Sequence, residues 1–284
     1  MKAPAFDYVR AQSLPQVFAL LRQHGDAARV LAGGQTLVAT LNMRLSEPAL
    51  LIDIGALAPL QGIAVAGDVL RLGALVTHAQ IEASPLVARH APLLAQAAPH
   101  IAHPAIRSRG TLGGSLAYAD PAAEWPACAL ALQAVMVLQG PEGERRVAAA
   151  DFFRGLYTTA LRLDELLVAS EWPLLQPGER QHFDELARRH GDYAITGLAA
   201  RAVVQGGALQ AVRLAFLGLG DRPLRAPETE ALLQGAVADA ALAQRVADSL
   251  ERELHPEPDL THGSDTKRHL ATVLVQRALR VLLA

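Results

Sequence analysis

A short buried strand that empties into two glycines constrains this chain more than any other feature. Residues 28–31 read as the strand, Gly33-Gly34 as the turn, and residues 37–43 have helical spacing. Residues 15–24 before the strand are also helical, and residues 49–54 form a second apolar run. Strand, helix and strand in such quick succession predict parallel pairing through a crossover, so the first 55 or so residues form a small α/β layer. Without Cβ atoms, Gly33 and Gly34 reach positive φ and let backbone N–H groups approach an anion. An isolated Gly-Gly pair is more often the chemistry of a plain tight turn, and this segment alone leaves both readings open.

Beyond residue 55 the pattern changes. Residues 63–66 and 69–75 flank Gly67-Asp68 as a hairpin, and residues 79–98 are helical with breaks at Pro85 and Pro92. A helix is predicted over 122–133, a hairpin from 135–138 and 145–148, and a strand over 166–169. Residues 173–180, with Pro173, Pro177 and Gly178, form the best linker. Strands follow over 182–188, 199–204 and 209–217 around the turn Gly206-Gly207, then helices from about Glu228, Ala240 and Asp265. The chain therefore divides into 1–176, with subdomains of about 1–55 and 56–176, and a smaller α+β domain over 177–284.

Composition narrows the function. With 284 residues, 51% hydrophobic and only 4% aromatic, the core must be packed from Ala, Val and Leu. Twenty-six basic against 28 acidic residues give a net charge of −2, which argues against nucleic acid as a partner. Cys128 is the only cysteine, so the chain cannot by itself hold a disulfide or a four-thiolate iron–sulfur cluster, and a cytoplasmic setting fits best. The N-terminus lacks the apolar region of a signal peptide, and the longest uncharged run, 125–141, is interrupted by Pro126, Gln133 and Gln139; no membrane span is expected.

A second glycine stretch lies downstream: Ile106-Arg107-Ser108-Arg109-Gly110-Thr111-Leu112-Gly113-Gly114-Ser115-Leu116-Ala117, followed by Tyr118-Ala119-Asp120-Pro121-Ala122-Ala123-Glu124. Within Gly110 to Ser115, three glycines and two hydroxyls, with a carboxylate nearby, suit a diphosphate and its attached sugar or ribityl chain. Neither stretch is a dinucleotide G-x-G-x-x-G or a G-x-x-x-x-G-K-[ST] loop, so standard nicotinamide binding and P-loop hydrolysis lose support. His100 and His103 have a spacing suited to one helical face, but no third metal ligand accompanies them, and no metal is expected. Thr77-His78 reads first as a helix cap and Cys128 as a small core residue. No catalytic dyad or nucleophile elbow stands out.

The two glycine stretches, taken with Arg188-Arg189-His190-Gly191-Asp192-Tyr193-Ala194, resemble the FAD-binding medium subunit of the molybdenum hydroxylases, the xanthine dehydrogenase and carbon monoxide dehydrogenase family. The resemblance runs nearly end to end. It implies an α+β fold: a PCMH-type FAD-binding domain of two subdomains, then a C-terminal domain of the CO dehydrogenase flavoprotein type. It assigns the FAD diphosphate to Ala32, Gly33, Gly34, Gln35 and Thr36, and to Thr111, Leu112, Gly113, Gly114 and Ser115, with Leu37 also at the cofactor and Gly110 supporting the second turn. Glu124 matches the family carboxylate near the cofactor, with Asp120 as the rival; Tyr193 matches a tyrosine beside the isoalloxazine, and Leu167 or Leu166 packs against the flavin. Asp184 and Glu185 stand where some relatives carry a lysine.

The function implied is an FAD-dependent oxidoreductase subunit. Its flavin relays electrons from 2Fe-2S clusters on a small subunit, supplied by a molybdenum-pterin centre on a large one, to a terminal acceptor. The assembly implied is a heterotrimer or its dimer, whose partner surface exposes apolar residues on the isolated chain. The alternatives are a self-sufficient PCMH-type flavin oxidoreductase acting on its own small substrate, which needs a base near the ring, and a binding scaffold without cofactor, which intact glycines in both stretches disfavour.

Overall fold

The structure, a computed structural model, describes residues 2–284. The chain begins with β1 (Asp7–Arg10), α1 (Leu14–His24), β2 (Ala28–Leu31), α2 (Leu37–Asn42) and β3 (Leu50–Asp53). The three strands form an all-parallel sheet in the order β1-β3-β2, as the crossover pattern predicts. Sequence patterning misses β1, whose Asp-Tyr-Val-Arg is largely exposed and becomes a strand only through its pairing with β3. Ser13 caps α1, and Val17, Phe18 and Leu21 of that helix pack with Leu50 and Ile52 in a small core of their own.

The middle section starts with β4 (Ile63–Ala66) and β5 (Val69–Gly73), then α3 (His78–Ala83), α4 (Pro85–His90), α5 (Pro92–Ala97), α6 (Pro104–Arg107), α7 (Leu112–Tyr118) and α8 (Glu124–Leu132). Pro85 and Pro92 each open a new helix, where a missing N–H costs nothing. The section closes with β6 (Val135–Gly140), β7 (Gly143–Ala148), α9 (Ala149–Phe152), β8 (Phe153–Gly155), β9 (Thr158–Thr159) and β10 (Leu166–Pro173). A five-stranded antiparallel sheet, ordered β4-β5-β10-β6-β7, backs these helices, and β8–β9 is a separate small hairpin.

The C-terminal section contains β11 (Glu179–Leu186), β12 (Thr196–Gln205), β13 (Ala208–Leu217), β14 (Leu224–Arg225), α10 (Pro227–Leu233), α11 (Leu242–Glu253) and α12 (Ser264–Leu282). Its four strands form one antiparallel sheet in sequence order. The expected linker over 173–180 is shorter than predicted: Pro173 ends β10 against Val69, and Glu179 and Arg180 already pair with Val203 and Ala202. Pro173 is tolerated because it stands at the end of its strand.

The middle and C-terminal sections share a core. Phe183, Ala199, Ala215 and Leu217 pack in the same cluster as Leu93, Trp125 and Trp172. The junction is pinned by polar contacts: Leu93 N donates to Gln181 Oε1 at 2.8 Å, and Phe183 N to Gln96 Oε1 at 3.0 Å. The helices of the C-terminal section cover the other face of its sheet, where Leu198, Leu214 and Phe216 meet Leu274 and Ala278. Among the described residues, no helix is long and apolar enough to cross a membrane.

Candidate functional site

The first glycine bend follows β2. Gly34 has φ +73°, and a Cβ there would also press on Leu31 and Val38 at 3.2 Å, so the bend requires glycine on both counts. The carbonyls of this bend are engaged: Gln35 Nε2 donates to Gly33 O at 3.2 Å and Val38 N to Gly34 O at 3.0 Å. Its donors are not. The N–H groups of Gly33, Gly34, Gln35 and Thr36 meet no acceptor among the described residues. Successive unpaired amides at a bend are the chemistry of an anion cradle.

The second bend is built differently. His78 N donates to Gly110 O at 3.0 Å, Leu112 N to Val76 O at 2.9 Å, and Gly113 N to Ala74 O at 2.9 Å. Leu112 and Gly113, which the resemblance assigns to the diphosphate, therefore have no free amide to offer it, because their N–H groups are consumed within the fold. Leu112 itself is a core residue. Gly113 is required for packing, since a Cβ would lie 2.5–2.7 Å from Ala74. Gly110 sits beneath the His78 ring, which a Cβ would approach to 2.8 Å. Thr111 caps α7 by accepting from Gly114 N at 3.1 Å. Gly114 is exposed, and beyond Thr111 Oγ1 a Cβ there would meet only Ala32, at 4.0 Å. Ser115, in the first turn of the helix, is half-buried beside it.

The two bends touch. A Cβ on Gly33 would overlap the Arg109 carbonyl and lie 3.0 Å from Gly110 Cα. Arg107 fixes the approach to this contact from behind, bonded to Glu82 at 2.8 Å and donating to the carbonyls of Ile101 and Ala102 at 3.1 and 3.2 Å. Sequence reasoning assigned Gly33 to make room for phosphate; the structure shows it making room for the other bend.

Beyond α7 the backbone turns through Ala119, at φ +55°, into Asp120, whose Oδ1 accepts from Ala122 N at 2.9 Å. Gly218 N donates to Pro121 O at 2.9 Å and so brings the end of β13 to this turn. Glu124, the first residue of α8, has its carboxyl pushed up to about 8, first by burial and then by the Glu185 carboxylate. A carboxyl held there is mainly protonated at neutral pH and so is able to donate an O–H as well as accept. Glu185 is itself a buried side chain, with Oε2 unpartnered and Oε1 3.5 Å from His100 Nδ1.

Tyr193 is 72% exposed. Its phenol is raised above the ordinary range by desolvation and by Asp120, Tyr157, Tyr118 and Glu124, which places all five groups in one neighbourhood. Two residues before Tyr193, Gly191 at φ +87° packs against the 102–103 segment, where a Cβ would lie 2.7 Å from the His103 ring. Tyr193 also borders a cleft with Arg188, Asp259 and His262. Leu167 does not join the group. It is 3% exposed, paired with Leu138 in the core, as Leu166 is buried in the first subdomain's core, so neither offers free surface to a ring. His100 ends a 3-10 turn and His103 precedes α6, so they share no helical face; His100 packs instead on Phe183 and His190.

Two touching glycine bends, with unpaired amides on one and an open glycine on the other, match a known family throughout. Residues 4–175 match the FAD binding domain in molybdopterin dehydrogenase, and residues 181–282 the CO dehydrogenase flavoprotein C-terminal domain. The chain belongs to the FAD-binding medium subunits of the molybdenum hydroxylases. This flavoprotein is 38% identical to the nicotine 6-hydroxylase medium subunit of Paenarthrobacter nicotinovorans, over 98% of each chain. It is 37% identical to the 6-hydroxypseudooxynicotine dehydrogenase complex subunit alpha of the same organism, over 98% of this chain and 95% of that one. Its fold superposes on carbon monoxide dehydrogenase from Hydrogenophaga pseudoflava with a TM-score of 0.96 at 36% identity, covering 99% of this chain and 98% of that one. The flavoprotein is an oxidoreductase subunit whose cofactor is FAD. Its residues fit that group: free amides and an uncluttered Gly114 suit a diphosphate, and the half-buried, mainly protonated Glu124 carboxyl suits hydrogen-bonding ring or sugar groups.

Sequence reasoning missed three features. His78 Nδ1 accepts from Trp125 Nε1 at 3.0 Å, and burial lowers its pKa to about 4, so it is a neutral support for Gly110. Glu185, read from the sequence only as standing where some relatives carry a lysine, lies close enough to Glu124 to raise its carboxyl, a proximity no local pattern reveals. Tyr157 stands beside Tyr118 with ring centroids 4.8 Å apart, although 39 residues separate them.

Proposed function

We propose that the flavoprotein holds FAD non-covalently and passes electrons from 2Fe-2S clusters on a small subunit to a terminal acceptor, the electrons arising at a molybdenum-pterin centre on a large subunit. The carrying observation is the contact between Gly33 and Arg109–Gly110, which sets free amides of one bend beside the open Gly114 of the other. FAD, when bound, supplies one- and two-electron chemistry. The chain's residues supply position: Gly33, Gly34, Gln35 and Thr36 donate to the diphosphate, Thr111 and Ser115 flank it, and Glu124 hydrogen-bonds from its protonated carboxyl. Tyr193 lies along the ring, with Asp120 setting the charge beside it. The division into 1–176 and 177–284 separates the cofactor-holding part from the part that carries Tyr193.

A heterotrimer or its dimer, in a reducing cytoplasm, is the assembly this reading requires, since Cys128 is the chain's only cysteine and is buried. Val38, Met43 and Leu45, on and after α2, are exposed apolar side chains of the kind that inter-subunit contacts cover. Two measurements test the reading. The purified chain is expected to show a flavin absorption spectrum and to release FAD on extraction; a colourless chain that refuses added FAD would refute it. Affinity isolation from its natural source is expected to bring down one iron–sulfur and one molybdenum-pterin chain, and isolation as a lone catalytic flavoprotein would overturn the relay.

A further inference from the structure

Of two aromatic rings paired beside the site, the half-buried Tyr118 ends the helix of the second glycine bend, and the exposed Tyr157 belongs to neither bend nor to the Tyr193 segment. Tyr157 is at the tip of the β8–β9 hairpin, 51% exposed, next to Leu156 at 57%. Its backbone is left-handed, φ +51°, a conformation a bulky residue holds only where its surroundings enforce it. The enforcement is visible on both sides of the tip. Phe153 and Gly155 pair with Thr159 and Thr158, Thr158 Oγ1 donates to Leu156 O at 2.9 Å, and Arg222 reaches across from the C-terminal section to Arg154 O at 3.4 Å.

The ring of Tyr157 leans on Tyr118 at 48°. Tyr118 is the last residue of α7, four positions after Gly114. Residues four apart share a helix face, so the face that opens at Gly114 toward Ala32 carries an aromatic ring one turn on, about 6 Å along the axis. Asp120 lies close enough to raise the pKa of Tyr118, Tyr157 and Tyr193 alike, each shift being led by desolvation.

Resting on the reading that FAD occupies this site, we propose that Tyr157, seated against Tyr118, is a second aromatic contact for the isoalloxazine ring, carried on a chain segment independent of Tyr193. The hairpin tip leaves apolar and aromatic surface open because the ring system covers it.

The test separates ring from diphosphate in the full chain. Tyr157→Asn removes the ring but tolerates the left-handed backbone, and Tyr157→Phe keeps the ring. Apo protein is titrated with FAD and, separately, with ADP, following flavin emission and calorimetric heat. Tyr157→Asn is expected to weaken FAD by about 2- to 10-fold with ADP unchanged, and to raise the emission of bound flavin, which a stacked phenol quenches. Tyr157→Phe is expected to restore FAD affinity. Equal FAD affinity and emission in wild type and Tyr157→Asn would overturn the assignment, as would equal losses for FAD and ADP, which mark a purely structural hairpin. Loss of partner-chain binding with unchanged FAD affinity would overturn it too, giving the tip to a subunit interface. Failure of the wild type to bind FAD at all would instead sink the underlying reading of the site.

Discussion

At the scale of single residues, neighbouring glycines in the same motif do opposite work. Gly113→Ala drives a Cβ to within 2.5–2.7 Å of Ala74, partly against backbone that cannot yield, and is expected to cost the apo chain about 1–3 kcal/mol in urea denaturation. Gly114→Ala presses only on Thr111 Oγ1, at 2.8 Å, and Ala32; it is expected to cost the apo chain no more than about 1 kcal/mol, that of a disturbed helix cap, while weakening FAD in a direct titration. Glu124 offers a pH signature. Its carboxyl is raised from 4.5 to about 8, so the unfolded chain loses this proton first as pH rises. Folding stability is expected to fall between those values by up to about 1.4 kcal/mol per pH unit and to flatten above pH 8. Glu124→Gln, which mimics the neutral acid, is expected to abolish that slope in denaturant midpoints measured at pH 5.5 and 7.5, roughly the window this shift opens.

At the scale of elements, α7 ties the site together. Thr111 caps its start, Gly113 seats it on Ala74, Gly114 faces the first bend, and Tyr118 ends it against Tyr157. Thr111→Ala leaves Gly114 N without its acceptor and is expected to cost about 1 kcal/mol by denaturation, whereas Thr111→Ser is expected to restore it. Sequence patterning located most elements well. Ala28–Leu31 matches to the residue, because three apolar residues in four run into the Gly33-Gly34 turn and leave little choice. It failed at β1, which has no buried face to leave a pattern, and at the length of β10, which extends to Pro173 because β5 and β6 supply partners on both sides.

At the scale of the molecule, the boundary between the middle and C-terminal sections is a packed core rather than a hinge. Phe183 is 5% exposed in it, and Gln181 is buried while accepting from Leu93 N at 2.8 Å. Heating is therefore expected to unfold both sections and release FAD in one transition, seen as coincident calorimetric and flavin-emission midpoints. Phe183→Ala is expected to lower that midpoint through a loss of about 3–5 kcal/mol, and two separated transitions in the wild type would show that the junction does not couple the sections. The same junction holds Glu185 near Glu124 and Tyr193 near Asp120, groups more than 60 residues apart in the chain.

The order of residues alone settled the parallel layer, the two glycine bends, the α+β class and the likeness to flavin-binding subunits, because periodicity and glycine chemistry act over a few neighbouring positions. Tertiary structure alone decided which amides stay free. It spent those of Leu112 and Gly113 on Val76 and Ala74, left those of Gly33 to Thr36 unpaired, and set Tyr157 against Tyr118. A hydrogen bond or a ring contact depends on where two distant segments come to rest, and no local pattern carries that information.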